Sequence, residues 1–212
     1  MENNKLFERV KIIIVLIVSL ILMAALVSFV IYLLSQTPPK SKDLINNNEL
    51  ESYLVEKNNN YFDYQENNYC AAFATSYLLR HFGENLQAGD IRKKIKRTFG
   101  YVFPSSITNL FKEKGYEATS YSGNLHTLKH ELTKANPVIV LINIKNDANY
   151  AVVVGYDQKN IYLVDFLKEN VNVDNPNYNR MLTEEEFKEV WNTNMLLSSN
   201  IYIVIKNRKE IK

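Results

Sequence analysis

Hydrophobic positions fall along this chain in three regimes. From Ile12 to Leu34 they are unbroken, with no charge and only Ser19 and Ser28 clearly polar. From about residue 50 to 134, apolar residues recur at helical spacing between turn signals. After Pro137 they gather into short β-branched and aromatic runs. Each regime predicts a different kind of element.

As a helix, residues 12–34 reach roughly 34 Å, enough to cross a bilayer core. A cleaved signal peptide has an apolar core of about 7–15 residues followed by a small-residue cleavage site. Here the run continues past Ala24 and Ala25 to Leu33 and Leu34. The reading is a retained single-pass anchor at 12–34 in the lipid bilayer, behind a cytoplasmic segment 1–11. Lys5, Arg9 and Lys11 precede it, and Lys40 and Lys42 follow it. By the positive-inside rule the N-terminus is cytoplasmic and the following domain extracellular. Residues 35–49, with Pro38-Pro39 and Asn46 to Asn48, read as a linker, and 50–212 as the folded domain.

Within the domain the pattern predicts a short helix at Leu50–Lys57. A second helix, Tyr69–Phe82, follows Asn67 or Asn68 as N-cap and stops at Gly83. Ala88–Phe99 reads as a basic helix. Ile107–Lys114 is a helix opened by Pro104 or Ser105-Ser106 and stopped by Gly115. Tyr116–Tyr121 is a strand, and Leu125–Lys134 a helix capped by Asn124. Val138–Ile144, Asn149–Tyr156 and Asn160–Asp165 read as strands, the last two joined by the tight turn Asp157-Gln158-Lys159. Thr183 caps a helix Glu184–Trp191, and Ile201–Ile205 is a final strand. Helices first and a sheet later make the domain α+β.

Composition narrows the function. Lys and Arg total 25 against 23 Asp and Glu, a near-neutral balance that argues against a nucleic-acid partner. The single cysteine cannot form an intramolecular disulfide and is too little for a zinc ribbon or an iron–sulfur cluster. His126 and His130 are four apart, but no Glu adjoins His126, so the zincin motif is missing. No metal or cofactor is expected.

Cys70 opens a predicted helix, where unpaired N–H groups and the dipole favour a thiolate and lower its pKa. That makes it a candidate nucleophile, against the plainer reading of a small buried hydrophobe. Gln65, five residues upstream, either donates into an oxyanion hole or is an ordinary loop residue. His81 lies about 16 Å further along the helix, out of reach of Cys70. The tyrosines near these segments suit a core or a groove for an extended peptide. The run Arg92 to Arg97 suits a solvated helix face, or contact with anionic lipid or a cell-wall polymer.

The stretch from Gln65 through Cys70-Ala-Ala-Phe-Ala-Thr-Ser-Tyr-Leu-Leu-Arg-His-Phe to Gly83 resembles the nucleophile helix of papain-like bacterial cysteine peptidases. It is most like family thirty-nine, the bacteriocin-leader-processing type. The resemblance continues through Gly115-Tyr116, Asn136-Pro137-Val138, Tyr150 to Asp157, Ile161 to Asp165, Phe187 and Trp191. It spans roughly residues 61–205. It implies a papain-like fold and a peptide partner, with Cys70 as nucleophile, Asp165 as the residue orienting the base, and Gln65 at the oxyanion hole. In the family the motif His-Tyr-x-Val-Val-x-Gly-Tyr-Asp starts on the catalytic His. Here that position is Asn149. Phe166 replaces the usual Pro, Ala71 the usual Gly, and Gln65 sits one residue closer to the cysteine.

An Asn side chain neither takes the thiol proton nor protonates a leaving amine. Asp147, two residues before Asn149, shares its face in a regular strand and is a weak substitute base that would repel a thiolate. Two functions follow. One is a membrane-anchored extracellular peptidase acting on an extended peptide. The other is a non-catalytic, peptide-binding pseudopeptidase in an adaptor, receptor or immunity role.

Overall fold

The strands that carry this domain are buried on both faces, which is why they read as continuous apolar runs rather than alternating ones. The computed structural model describes residues 2–42, 50–57, 60–65, 69–145, 147–193 and 198–207. They form two units, residues 1–37 and 38–212.

The first unit is one helix, α1 (Glu2–Ser35), whose stretch 6–35 is long and apolar enough to cross a membrane. Its large apolar side chains from Leu6 to Ile31 are exposed, and Tyr32 and Leu33 are half-buried. Ser19 and Ser28 donate their hydroxyls to Leu16 O and Ala24 O, both at 2.9 Å. Each hydroxyl is thus satisfied within the helix.

The second unit is α+β. Its elements are β1 (Tyr53–Leu54), α2 (Cys70–His81), α3 (Ala88–Lys94), α4 (Pro104–Glu113), β2 (Glu117–Ser122), α5 (Leu125–Leu132) and β3 (Val138–Ile144). There follow β4 (Asp147–Tyr156), β5 (Asn160–Val164), a 3-10 turn at Lys168–Asn170, β6 (Arg180–Thr183), α6 (Glu184–Trp191) and β7 (Ile201–Lys206). The seven strands form one antiparallel sheet in the order β2-β7-β3-β4-β5-β6, with β1 laid against β4.

Alternate residues serve two cores. Ile139, Leu141, Tyr150, Val152, Val154, Ile203 and Ile205 face α2, α3 and α4. Val138, Val140, Ile142, Ala151, Val153, Tyr202 and Val204 face α5 and α6. Local signals fix the helix ends. Asn124 and Thr127 form a capping box at α5, and Thr183 and Glu186 form one at α6. Pro104 opens α4 directly.

Three sequence expectations change. Leu50–Lys57 is not a helix. Its centre is β1, and Val55 N donates to Val154 O at 2.8 Å. Gly155 makes this crossing possible, because a Cβ there would lie 2.5 Å from Tyr53 O. The basic helix ends at Lys94 rather than Phe99, since Ile95 turns extended and buries its side chain. β6, within an Asn-rich segment, was not expected, and it pairs along β5. The proposed N-caps Asn67 and Asn68 lie outside the described residues. Pro39 and Ser41 hydrogen-bond through their backbones to Ser122 at the end of β2, both at 2.8 Å.

Candidate functional site

Cys70 is the first residue of α2, and its N-cap Tyr69 offers no side-chain cap. Gln65 takes part of that role, with Oε1 accepting from Tyr69 N at 2.7 Å. Gln65 is buried, its backbone N–H donates to Phe166 O at 2.9 Å, and no described residue accepts from its Nε2. Phe166 is fully buried, and its ring packs on Phe73 and Tyr77 of α2. The loop after β5 is thereby fastened to the cysteine helix.

The Cys70 thiol stands beside β4. Burial pushes its pKa up, and the nearby Asp165 charge adds to the rise. Backbone N–H groups of Tyr150 and Ala71, and the charge of Arg97, pull it down without overcoming burial. This corrects the expectation of a lowered thiol pKa: the helix terminus acts in the expected direction, and desolvation outweighs it.

A cavity of about 320 Å³ opens against Cys70, and its wall includes Tyr69, Asp147, Asn149 and Tyr150. The structure therefore brings Cys70 and Asn149 to one cavity. Asn149 is buried, pairs across the sheet with Ile142, and donates Nδ2 to Asp147 O at 3.1 Å. Asp147 is exposed at the rim. No histidine lines the cavity among the described residues. His81 packs on Phe82 at the far end of α2, and His126 and His130 belong to α5.

Asp165 follows β5 directly and is almost wholly buried. Its Oδ2 accepts from Arg180 Nη1 at 2.6 Å and from Asn170 Nδ2 at 3.1 Å, and its Oδ1 from Leu167 N at 2.9 Å. Asn179 brackets its backbone, accepting from Asp165 N and donating to Asp165 O, both at 2.8 Å. The carboxylate is fully engaged. Arg180 and Asn179 were not expected from sequence. Asn179 ends an irregular Asn-rich stretch and Arg180 opens β6, where spacing carries no signal for a partner fourteen or fifteen residues away.

Among the described residues no group of three or more His, Cys, Asp or Glu side chains gathers in metal-binding geometry. A thiol whose pKa burial raises, an amide at Asn149 and a carboxylate paired with Arg180 are the polar groups gathered in this part of the fold.

A family model described as the Peptidase C39-like family matches residues 51–196. No curated protein matches the chain. Several solved structures share the fold. A C39-like peptidase from Bacillus anthracis superposes with TM-score 0.58 at 16% identity, covering 73% of this chain and 98% of that one. The peptidase domain of Streptococcus ComA, a bifunctional ABC transporter in a quorum-sensing pathway, gives 0.51 at 15% identity, covering 69% and 97%. A double-glycine-motif protease from an AMS/PCAT transporter, solved with its leader peptide, gives 0.50 at 16% identity, covering 69% and 90%.

Proposed function

Since the chain belongs to the Peptidase C39-like family, we propose that its domain is a peptide-binding pseudopeptidase, anchored through residues 12–34 and displayed outside the cell. The observation that carries this reading is the engagement of Asp165. The residue that would orient a catalytic imidazole is paired instead with Arg180, and the cavity beside Cys70 has Asn149 where the family places its His.

The chemistry follows from these side chains. Amide cleavage needs a base for the thiol and an acid for the leaving nitrogen. Asn149 supplies neither, and burial pushes the Cys70 thiol pKa up, against thiolate formation. What persists is a groove with hydrogen-bonding walls. The backbone N–H groups around Cys70 are donors suited to a peptide carbonyl, whereas Gln65 is buried and is not among the residues that line the cavity. A solved relative holds a leader peptide, which supports an extended peptide as the ligand class here.

The test compares the native full chain with Cys70→Ala and Asn149→His. Alkylation of Cys70, followed by mass spectrometry, should accelerate as pH rises beyond about 8.5, the ordinary thiol range. An activated thiolate would instead react at a rate nearly independent of pH. Peptide hydrolysis should be absent in the native chain. Asn149→His should restore part of the roughly 10²–10⁴-fold that acid–base help supplies, limited by the hold of Arg180 on Asp165. Strong native turnover, abolished by Cys70→Ala and unimproved by Asn149→His, would overturn the reading and pass the role of base to Asp147.

A further inference from the structure

Arg92 and Arg97 reach the cavity wall, but neither core nor cavity accounts for Lys93, Lys94 and Lys96 of the segment Arg92 to Tyr101. Arg92, Lys93 and Lys94 close α3, Lys96 and Arg97 follow, and all five are exposed. The nearest acid on the helix is Asp90, 3.6 Å from Lys93. Arg92 and Arg97 lie 3.6 and 4.8 Å from the centre of the Tyr69 ring, which fixes the base of the segment. The chain then reverses. Thr98 N donates to Tyr101 O at 2.9 Å, and Tyr101 N to Thr98 O at 3.1 Å. Phe99 and Gly100 between them have φ of 53° and 82°. Two successive positive φ values mark a type I′ turn, whose first central position ordinarily holds Asn, Asp or Gly. Here it holds Phe99, 70% exposed, next to Tyr101 at 57%, the two most exposed large hydrophobic side chains among the described residues of the domain.

A solvated helix face needs the cations but not the aromatic tip. Acidic lipid suits both. Headgroup phosphates attract Lys and Arg, and aromatic rings settle at the headgroup level. We propose that Arg92–Tyr101 docks on anionic phospholipid, with Phe99 entering the interface. The proposal rests on the reading of residues 12–34 as a membrane anchor. Gly100 and Tyr101 also line the cavity, so docking brings the cavity rim to the lipid and favours a ligand travelling along the membrane.

The test uses the full chain carrying Cys70→Ala and Phe99→Cys, nitroxide-labelled at 99 and reconstituted into nanodiscs. Resistance of nanodisc association to alkaline carbonate reports the anchor separately from docking. In discs containing phosphatidylglycerol the label should become accessible to lipid-soluble oxygen and shielded from a water-soluble relaxant. In purely zwitterionic discs it should stay aqueous. Lys93→Gln with Lys94→Gln and Lys96→Gln should lower the ratio of docked to undocked label by on the order of a hundred-fold, at roughly fivefold for each charge removed. Salt should release the label in the unsubstituted patch, which tests the charge dependence without any variant. A label that stays aqueous in both lipids while the anchor holds, or one equally buried in both, overturns the proposal. So does an acidic peptide that shields the label in zwitterionic discs, since that assigns the patch to a peptide.

Discussion

Replacing Arg180 by Met isolates the contact on which the proposed pseudopeptidase reading rests. The Asp165 side chain is 3% exposed and that of Arg180 11%, so the pair is buried on both sides. Removing one partner of such a pair costs about 3–5 kcal/mol, because the remaining charge is left without compensation. Asp165 would keep two neutral donors, Leu167 N at 2.9 Å and Asn170 Nδ2 at 3.1 Å. These soften the loss, which places the expected cost of Arg180→Met near the lower end, about 3 kcal/mol. Adding Asp165→Asn removes the stranded charge while keeping an oxygen for Leu167. The double variant should therefore recover about 2 kcal/mol of the loss. The chain has one tryptophan, Trp191, fully buried and bonded through Nε1 to Ile201 O at 3.0 Å. Its fluorescence reports the domain alone when the full chain in detergent is titrated with urea. A single variant within about 1 kcal/mol of the native chain, or a double variant no more stable than the single, would refute the view that Arg180 neutralises Asp165.

Two further outcomes follow from other parts of the domain. Gly155→Ala sets a Cβ 2.5 Å from the backbone oxygen of Tyr53, which cannot swing aside, so the same titration should show a loss of about 1–3 kcal/mol, with faster amide exchange at Val55 as β1 lifts; an unchanged midpoint would contradict the close crossing. For Asp157, burial favours the neutral form, but hydrogen bonds from the Tyr162 hydroxyl, Lys159 N and Asn160 overcome it and hold the pKa down to about 2. A folded pKa below the ordinary value near 3.9 gives stability that is complete above that pH and lost as pH falls through about 2. The gap in urea midpoint between native and Asp157→Asn chains should thus be widest above about pH 4 and close toward pH 2, whereas a gap independent of pH would contradict the assignment.

The fold was legible where local chemistry and burial pointed the same way. Asn124, Thr183 and Pro104 start their helices as their side chains dictate. The β-branched runs of β3, β4, β5 and β7 are strands because both of their faces meet a core. The segment around Tyr53 and Leu54 misled because its two strand residues are held by β4, a hundred residues away, and not by any local preference. The same division runs through the site. Cys70 and Asn149 could be singled out from the sequence, and they share a cavity. The environment that sets their behaviour could not, since desolvation of the thiol and the Arg180 contact to Asp165 exist only after folding.

The double-sided burial of the sheet also separates what can drift from what cannot. Along β3, the middle of β4 and β7, a polar substitution would strand an unpaired group in one core or the other. The cavity wall takes in Leu141 and Tyr150 from one core, but it extends to the margins of these strands, at residues 147–149 of β4 and in the loop after β5. A lineage could therefore exchange residues there one at a time, gaining or losing a chemistry, while the scaffold registers little change in stability. In such an architecture the rim residues answer to whatever the cavity holds, and the cores beneath them answer to the fold.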